Sequence, residues 1–339
     1  PMAHMYGLAF EFLYEFSVGC HIYFLTRMPS PKIIFQAFEE VKPNLIVAVP
    51  LIIEKIIKKS VLPKLETPAM KILLKVPIIN DKIKATVREE MIKAFGGNFK
   101  AVIVGGAAFN QEVEQFLKMI DFPYTVGYGM TECGPIICYE DWRRFKPGSC
   151  GKAVPRMDVK VLSSDPENIV GEIVCKGPNV MLGYYKNEEA TQEVIDKDGW
   201  LHTGDIASID KDGHIHITGR IKNMIVLSGG KKVFPEEVES VLCESENFSE
   251  VCVFGSSRTS GSKEGTEDIV AVIVPTEHFI SLAKDEEELN RMVREEAKHY
   301  SSRLAAYKRP VNIIMLKEPL PKTTTRKIKR NEVKELINV

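Results

Sequence analysis

The segment Tyr128-Gly129-Met130-Thr131-Glu132 follows an apolar run from Pro123 to Gly127 and gathers several kinds of chemistry in one turn. An aromatic face can stack on a purine, a glycine lets backbone approach a ligand, a hydroxyl can bond a phosphate oxygen, and a carboxylate can hold magnesium. Gly105-Gly106-Ala107 ends another apolar run, Ala101 to Val104. Small residues at the carboxyl end of such a strand let a flat ring lie on the backbone. Gly199 to Asp205 and Thr218-Gly219-Arg220 offer an acid for vicinal ribose hydroxyls and a guanidinium for a sugar or phosphate. Pro321 to Arg330 holds five basic residues in ten, and a lysine there can reach an anionic reacting group. Taken singly, each segment reads more readily as ordinary structure: a turn, a strand-to-helix junction, a hairpin with surface charges, a solvated tail.

Elements that can position these residues are visible along the chain. The length, 339 residues, exceeds a typical single core and predicts at least two domains. Leu45 to Val49 and Ala101 to Val104 read as buried parallel strands. Helical patterns cover Leu51 to Lys59 and Asp81 to Phe95, the second closed by Gly96-Gly97, and Asn110 is placed to cap another. Strand, glycine turn and helix form the repeating unit of an open α/β sheet. From Gly151 the texture changes to short alternating runs, Asp158 to Leu162, Gly171 to Cys175 and His214 to Ile217, which predict a small antiparallel sheet or barrel. After Arg220 a further pattern appears: strands at Met224 to Leu227, Glu250 to Phe254 and Asp268 to Val274, with helices at Pro235 to Cys243 and Asp285 to Leu304.

Bulk properties narrow the function. Basic and acidic residues nearly cancel, 45 against 46, which gives no general attraction to nucleic acid or an anionic membrane and leaves small-molecule chemistry as the default. Seven cysteines with no C-x-x-C pair read as reduced intracellular thiols. The apolar stretch from Leu8 to Leu25 is broken by Glu11, Glu15, Gly19 and His21, so no spanning helix is expected. Pro1-Met2-Ala3-His4 is no initiator sequence, and the chain is expected to be a piece of a longer one. A cytoplasmic location is expected, with peripheral membrane attachment and homo-oligomerisation left open.

Together, in this order and spacing, the segments resemble the adenylate-forming superfamily of acyl-CoA synthetases, luciferases and adenylation domains, over essentially the whole chain. Tyr128 to Glu132 matches its Y-G-x-T-E core, Gly171-Glu172 through Gly183-Tyr184 its G-E to G-Y segment, and Trp200 to Asp205 its W-x-x-T-G-D. Gly219-Arg220-Ile221-Lys222 is similar to the hinge, and Pro321 to Arg330 to the terminal P-K-T-x-x-G-K motif. The resemblance implies an α/β fold. It would hold part of the large adenylate-forming domain, with an α/β sheet subdomain at 1–150 and a β-barrel-like subdomain at 151–220, and then a small mobile α+β domain at 221–339. It implies ATP, Mg2+ and CoA as ligands, and two half-reactions: carboxylate plus ATP to acyl-AMP and pyrophosphate, then CoA attack.

By the same resemblance, Gly105, Gly106, Ala107 and Tyr128 would sandwich adenine, with Gly129 and Met130 on the same nucleotide-binding turn. Thr131 would contact the α-phosphate and Glu132 would bind magnesium. Asp205 would hold the ribose hydroxyls with help from Arg220. Lys327 would approach the acid carboxylate and α-phosphate, Lys222 would be the hinge, and Ser228, Gly229, Gly230 and Lys231 would meet the pantetheine arm of CoA. His4 would line the acyl pocket, for which Phe10, Phe12, Phe16 and Phe24 suit a medium- to long-chain fatty acid. Lys322 and Lys329 are expected to be solvated, His214 and His216 to share a strand face without binding metal, and Gly255 to Asp268 to be a surface loop.

The match departs from the family in three places. No Ser/Thr/Gly-rich, lysine-ending phosphate loop occurs before Tyr128, so the 339-residue chain alone is expected to be inactive. Arg326 replaces the usual glycine before the terminal lysine, and Val126 stands where many relatives place an amide or acid near adenine. A fatty acyl-AMP ligase loading a carrier protein is the nearest enzyme alternative. A non-catalytic nucleotide- or acyl-binding fragment is the alternative from another class.

Overall fold

The structure, a computed structural model, describes residues 2, 4–26, 30–65, 67, 77–228, 230–257, 267–323 and 327–337. The chain divides into two compact units, residues 1–203 with 207–217, and residues 204–206 with 218–339.

In the first unit the uniformly apolar runs become a parallel sheet of order β1-β2-β3, from Leu45–Ala48, Ala101–Val104 and Tyr124–Val126. Ile46, Val102, Val104 and Val126 join one core with Ile53 and Ile57 of the Pro50–Ser60 helix and Val113, Phe116 and Leu117 of the Gln111–Met119 helix. Val126 is therefore a core residue. The Asn110 side chain caps the Gln111–Met119 helix, accepting from Val113 N at 3.1 Å. The preceding long helix spans Pro77–Ala94, starting a turn earlier than its pattern suggested, because proline fits a first helical turn. It ends at Gly96 and Gly97, both at positive φ. A Cβ on Gly96 would lie 2.6 Å from Phe38 O, so this helix end needs a bare backbone.

The rest of this unit is antiparallel in character. β4 (Tyr128–Gly129), β5 (Ile136–Tyr139) and β6 (Lys152–Ala153) form one sheet. β7 (Asp158–Leu162), β8 (Gly171–Lys176), β9 (Leu201–Ile209) and β10 (Ile215–Arg220) form another, in the order β10-β9-β8-β7, of which residues 204–206 and 218–220 count with the second unit. Ile137, Val161, Ile173, Leu201 and Ile215 share its core with Cys133, Cys138, Cys150 and Cys175. The Cys133 and Cys175 sulfurs are 3.6 Å apart.

In the second unit β13 (Phe248–Ser257), β14 (Glu267–Pro275) and β15 (Asn312–Met315) form a mixed sheet. Alternation sends Val251, Val253, Ile269, Ala271 and Ile273 to one core. That core is shared with Val238 and Leu242 of the Pro235–Leu242 helix and with Leu289, Val293 and Ala297 of the Glu286–Ser301 helix. The intervening residues Cys252, Phe254, Val270, Val272 and Val274 meet Leu320 and Val333 in a second core. Through Val333, burial on that face anchors the C-terminal Arg330–Leu336 helix. Among the described residues no helix is long and apolar enough to cross a membrane.

Candidate active site

The Tyr128–Thr131 turn forms one wall of a cavity of about 330 Å³ in the first unit. The opposite side comes from the N-terminal segment, helical from Met5 to Ser17 with its middle turn widened so that Tyr14 N bonds Ala9 O. His4 caps this segment, its Nδ1 accepting from Tyr6 N at 3.2 Å, and it lines the cavity. Phe10 lines it too. Phe12, Phe16 and Phe24 do not: Phe12 stacks on Phe16 and meets Phe24 at a tilt, and those two are 71% and 62% exposed. Aromatic content alone could not separate a pocket wall from a surface cluster.

The sequence missed Tyr6. Its hydroxyl donates to Ile103 O at 3.3 Å, and burial, then Glu11, pushes its ionisation well above the ordinary range. A Cβ on Gly105 would meet the Tyr6 ring at 3.0 Å, so Gly105 makes room for a neighbouring side chain. Gly106 lines the cavity at φ +86 with open space around it, whereas Gly105 and Ala107 are absent from its wall. Of the three small residues, Gly106 is the one that can present bare backbone to a ring there.

Gly129 has a similar internal reason. A Cβ there would lie 1.9 Å from Pro135 O, the atom that accepts from Met130 N at 2.8 Å. Thr131 is exposed beside it. Glu132 is held from residues 177–184, since its Oε1 accepts from Tyr184 OH at 2.9 Å and its carbonyl from Met181 N at 2.8 Å. The motif residue Tyr184 thus orients the carboxylate, a link that sequence distance hid. Its partner in that bond is a neutral hydroxyl, which leaves the negative charge uncompensated by it. An oriented carboxylate of this kind suits magnesium, which commonly takes one or two carboxylates plus substrate oxygens.

In the second unit Asp205, almost fully buried, pairs with Arg220 at 2.6 and 3.4 Å. Lys327 lies in the field of both. It sits at the surface, yet desolvation by surrounding protein and the Arg220 charge hold its ammonium below the ordinary lysine range, with Asp205 opposing them. Its loop is closed by Thr323 N to Lys327 O at 2.8 Å and Lys327 N to Thr323 Oγ1 at 3.1 Å. Arg326 lies outside the described residues, as do 258–266 of the loop between Gly255 and Asp268. Lys322 and Lys329 are more than solvated tail: they pair with Glu250 and, at 2.6 Å, with Glu332. Lys222 is exposed in the short Ile221–Asn223 turn. Ser228, Gly230 and Lys231 lie in the turn from β11 (Ile225–Val226) to β12 (Lys232–Val233), with the Lys231 ammonium 4.5 Å from the Tyr307 ring centre. Gly229 lies outside the described residues.

Two groups in the first unit have structural explanations. Asp210, Asp212 and His214 come within 4.8 Å of one another. Asp210 already caps the turn, accepting from Asp212 N and His214 N, and pairs with Lys146 at 2.6 Å. Glu114 is buried, accepts from Gly148 N at 2.9 Å, and is pushed up to about 7 by desolvation. Its folded pKa therefore exceeds the unfolded value, and protonation favours the folded state. Stability falls as pH rises from about 4.5 to about 7, by on the order of 3 kcal/mol. Glu114→Gln should raise the urea midpoint at pH 8 and change it little at pH 4. Both tryptophans, Trp142 and Trp200, belong to this unit, so their fluorescence follows its unfolding. Equal midpoints for the two proteins at pH 8 would contradict the burial argument.

Comparison with known proteins places this geometry. The profile of the AMP-binding enzyme family matches residues 1–185, and that of the AMP-binding enzyme C-terminal domain matches residues 237–327. The chain belongs to this family, the adenylate-forming enzymes. It is 34% identical over 224 residues, 62% of its length, to an indoleacetate–CoA ligase of Aromatoleum aromaticum. It is 34% identical over 238 residues, 68% of its length, to a long-chain-fatty-acid–CoA ligase of Escherichia coli O6:H1. The matches span 39% of each of these two relatives. The crystallised O-succinylbenzoate coenzyme A synthetase of Bacillus subtilis in complex with AMP shares the fold, with a TM-score of 0.73 and 24% identity over 98% of this chain and 59% of that one.

Proposed function

We propose that this chain supplies most of the acyl-adenylate site of an AMP-forming acid–CoA ligase acting on an apolar monocarboxylic acid, a fatty acid of medium or long chain. The carrying observation is the cavity at the Tyr128–Thr131 turn. Among the described residues that line it, none is Lys, Arg, Asp or Glu, and Met5, Tyr6, Phe10 and Ile103 supply apolar surface. A second carboxylate on the acid would find no lysine or arginine there to offset its lost hydration. An alkyl chain gains by burial. On this reading the acid's tail enters between the N-terminal segment and the sheet, and its carboxylate faces the Thr131 hydroxyl.

Gly106 and Tyr128 then bind adenine, with Gly129 and Met130 completing the turn. Asp205 accepts from the ribose hydroxyls, and Arg220 holds Asp205 in place for them. Lys327 offsets the repulsion between the acid carboxylate and the α-phosphate. Glu132 would hold magnesium, whose role when bound is to neutralise phosphate charge. The subdivision at 150 and 220, the Lys222 hinge, and contact of Ser228 to Lys231 with the pantetheine arm belong to the same proposal. No protein nucleophile is required, because the phosphate itself activates the acid.

The test is acid-dependent pyrophosphate release by the full-length gene product, with acids of graded chain length set against aryl and dicarboxylic acids. Saturated acids of eight or more carbons should give the highest kcat/KM, and a dicarboxylate of equal length at least tenfold less. Preference for a dicarboxylate or an indole acid would overturn the substrate reading. Absence of pyrophosphate release with every acid would overturn the activity. Running the second step with CoA and with a carrier protein identifies the acceptor.

A further inference from the structure

We propose that Arg330 is a positioning residue for Lys327, linking the lysine's loop to the hinge segment through Glu236; this rests on the role given to Lys327 above. Arg330 follows Lys327 by three residues and opens the helix whose Val333 is fully buried. Its guanidinium is divided among three acceptors from two elements, the strand Phe248–Ser257 and the helix Pro235–Leu242. Nε donates to Val253 O at 2.8 Å, Nη2 donates to Glu239 Oε1 at 2.7 Å, and Nη1 lies 3.5 Å from Glu236 Oε1. Desolvation raises the Glu239 carboxyl and the Arg330 charge opposes it, as expected for a buried ion pair.

Glu236 is the link to the hinge. Its Oε1 accepts from Asn223 Nδ2 at 2.5 Å, one residue beyond Lys222. Its Oε2 is buried without a hydrogen-bond partner, and a Cβ on Gly219 would come within 2.8 Å of it. The carboxylate is therefore pressed on the backbone of the residue preceding Arg220, the partner of Asp205. A line of contacts runs from Asp205 and Arg220 through Gly219, Glu236 and Arg330 to the loop that bears Lys327. If the network merely fastened the terminal helix, the unpartnered oxygen against Gly219 would have no purpose. As a positioning device, it sets where the lysine loop stands relative to Asp205 and Arg220.

Arg330→Lys separates the two roles. Lysine keeps the charge beside Glu239, but it cannot divide a planar fork among three acceptors. Misplacement by about 1 Å of a group far from the chemistry can cost on the order of 100-fold in rate. In the full-length gene product, acid-dependent ATP–pyrophosphate exchange should fall roughly tenfold, while conversion of supplied acyl-AMP and CoA to thioester changes by less than about twofold. Glu236→Gln, which keeps an acceptor for Asn223, should move the same way by about threefold. A second arm needs no activity: Lys327 acylation by acetic anhydride, read by mass spectrometry across pH. It should shift towards ordinary lysine behaviour in Arg330→Lys, with other lysines unchanged.

Equal loss in both half-reactions would mark a merely structural residue and overturn the proposal. So would unchanged exchange together with unchanged Lys327 labelling. If the wild type shows no exchange with any acid, the functional reading fails, and the labelling arm alone decides whether Arg330 positions Lys327.

Discussion

Lys327→Ala should lower acid-dependent pyrophosphate release by about 10²- to 10³-fold and leave the fold intact. The fold is spared because Lys327 is exposed and contributes nothing to either core of its unit. The rate falls because adenylation brings two anions together, and an oriented cation in a partly desolvated position offsets their repulsion far better than water does. Arg220 alone does not replace it, since that guanidinium is committed to Asp205 at 2.6 Å. The same variant supplied with acyl-AMP and CoA should form thioester at close to the wild-type rate, because the carboxylate has by then been activated. The measurement is a pair of initial rates, one for each half-reaction, together with a urea midpoint. Normal pyrophosphate release by Lys327→Ala would remove this residue from the site.

How much of this was legible in the sequence depends on whether the determining contact is local. The strands of the parallel sheet were readable because they are apolar on both faces, and their edges shifted by a residue or so where neighbouring elements decide the end. Asn110 was readable as a cap because the acceptor and its amide are three residues apart. The residues at Tyr128 to Glu132 and at Asp205 and Arg220 stood out only through the order and spacing of their segments, since their types taken singly also fit ordinary turns. The purpose of the glycines could not: Gly105 yields to the ring of Tyr6 and Gly129 to the carbonyl of Pro135. The fork of Arg330 draws on Glu236 and Glu239, one helical turn apart, and on Val253 of a strand, and nothing local to Arg330 in the sequence points to either element. Tyr184 on Glu132 is hidden in the same way, being a single hydroxyl supplied from another segment.

Gly129→Ala is the substitution that should most damage the nucleotide turn. The new Cβ would lie 1.9 Å from Pro135 O, 2.7 Å from its carbonyl carbon and 2.9 Å from Ile136 Cα. All three are backbone atoms, so no rotamer change relieves the overlap. Moving the Pro135 carbonyl breaks its bond to Met130 N, and Ile136 is held in turn by Asn179, which also holds Cys133 O at 2.7 Å. Strain therefore spreads to both ends of the Thr131–Cys133 turn and to the 177–184 segment that orients Glu132. A loss of about 2–4 kcal/mol in the first unit is expected, the usual scale for forced overpacking with a broken buried hydrogen bond. Nucleotide affinity should fall more than about tenfold, since Tyr128, Thr131 and Glu132 all shift. Gly213→Ala is the matched control: it also sits in a turn, at φ +86, but its Cβ would meet nothing within 4 Å. Left-handed strain alone should cost about 1 kcal/mol there. Urea unfolding followed by tryptophan fluorescence, with calorimetric titration of ATP, separates the two variants. If Gly129→Ala unfolds at the wild-type midpoint and binds ATP normally, the Pro135 contact does not set the turn, and the glycine must be there for the ligand after all.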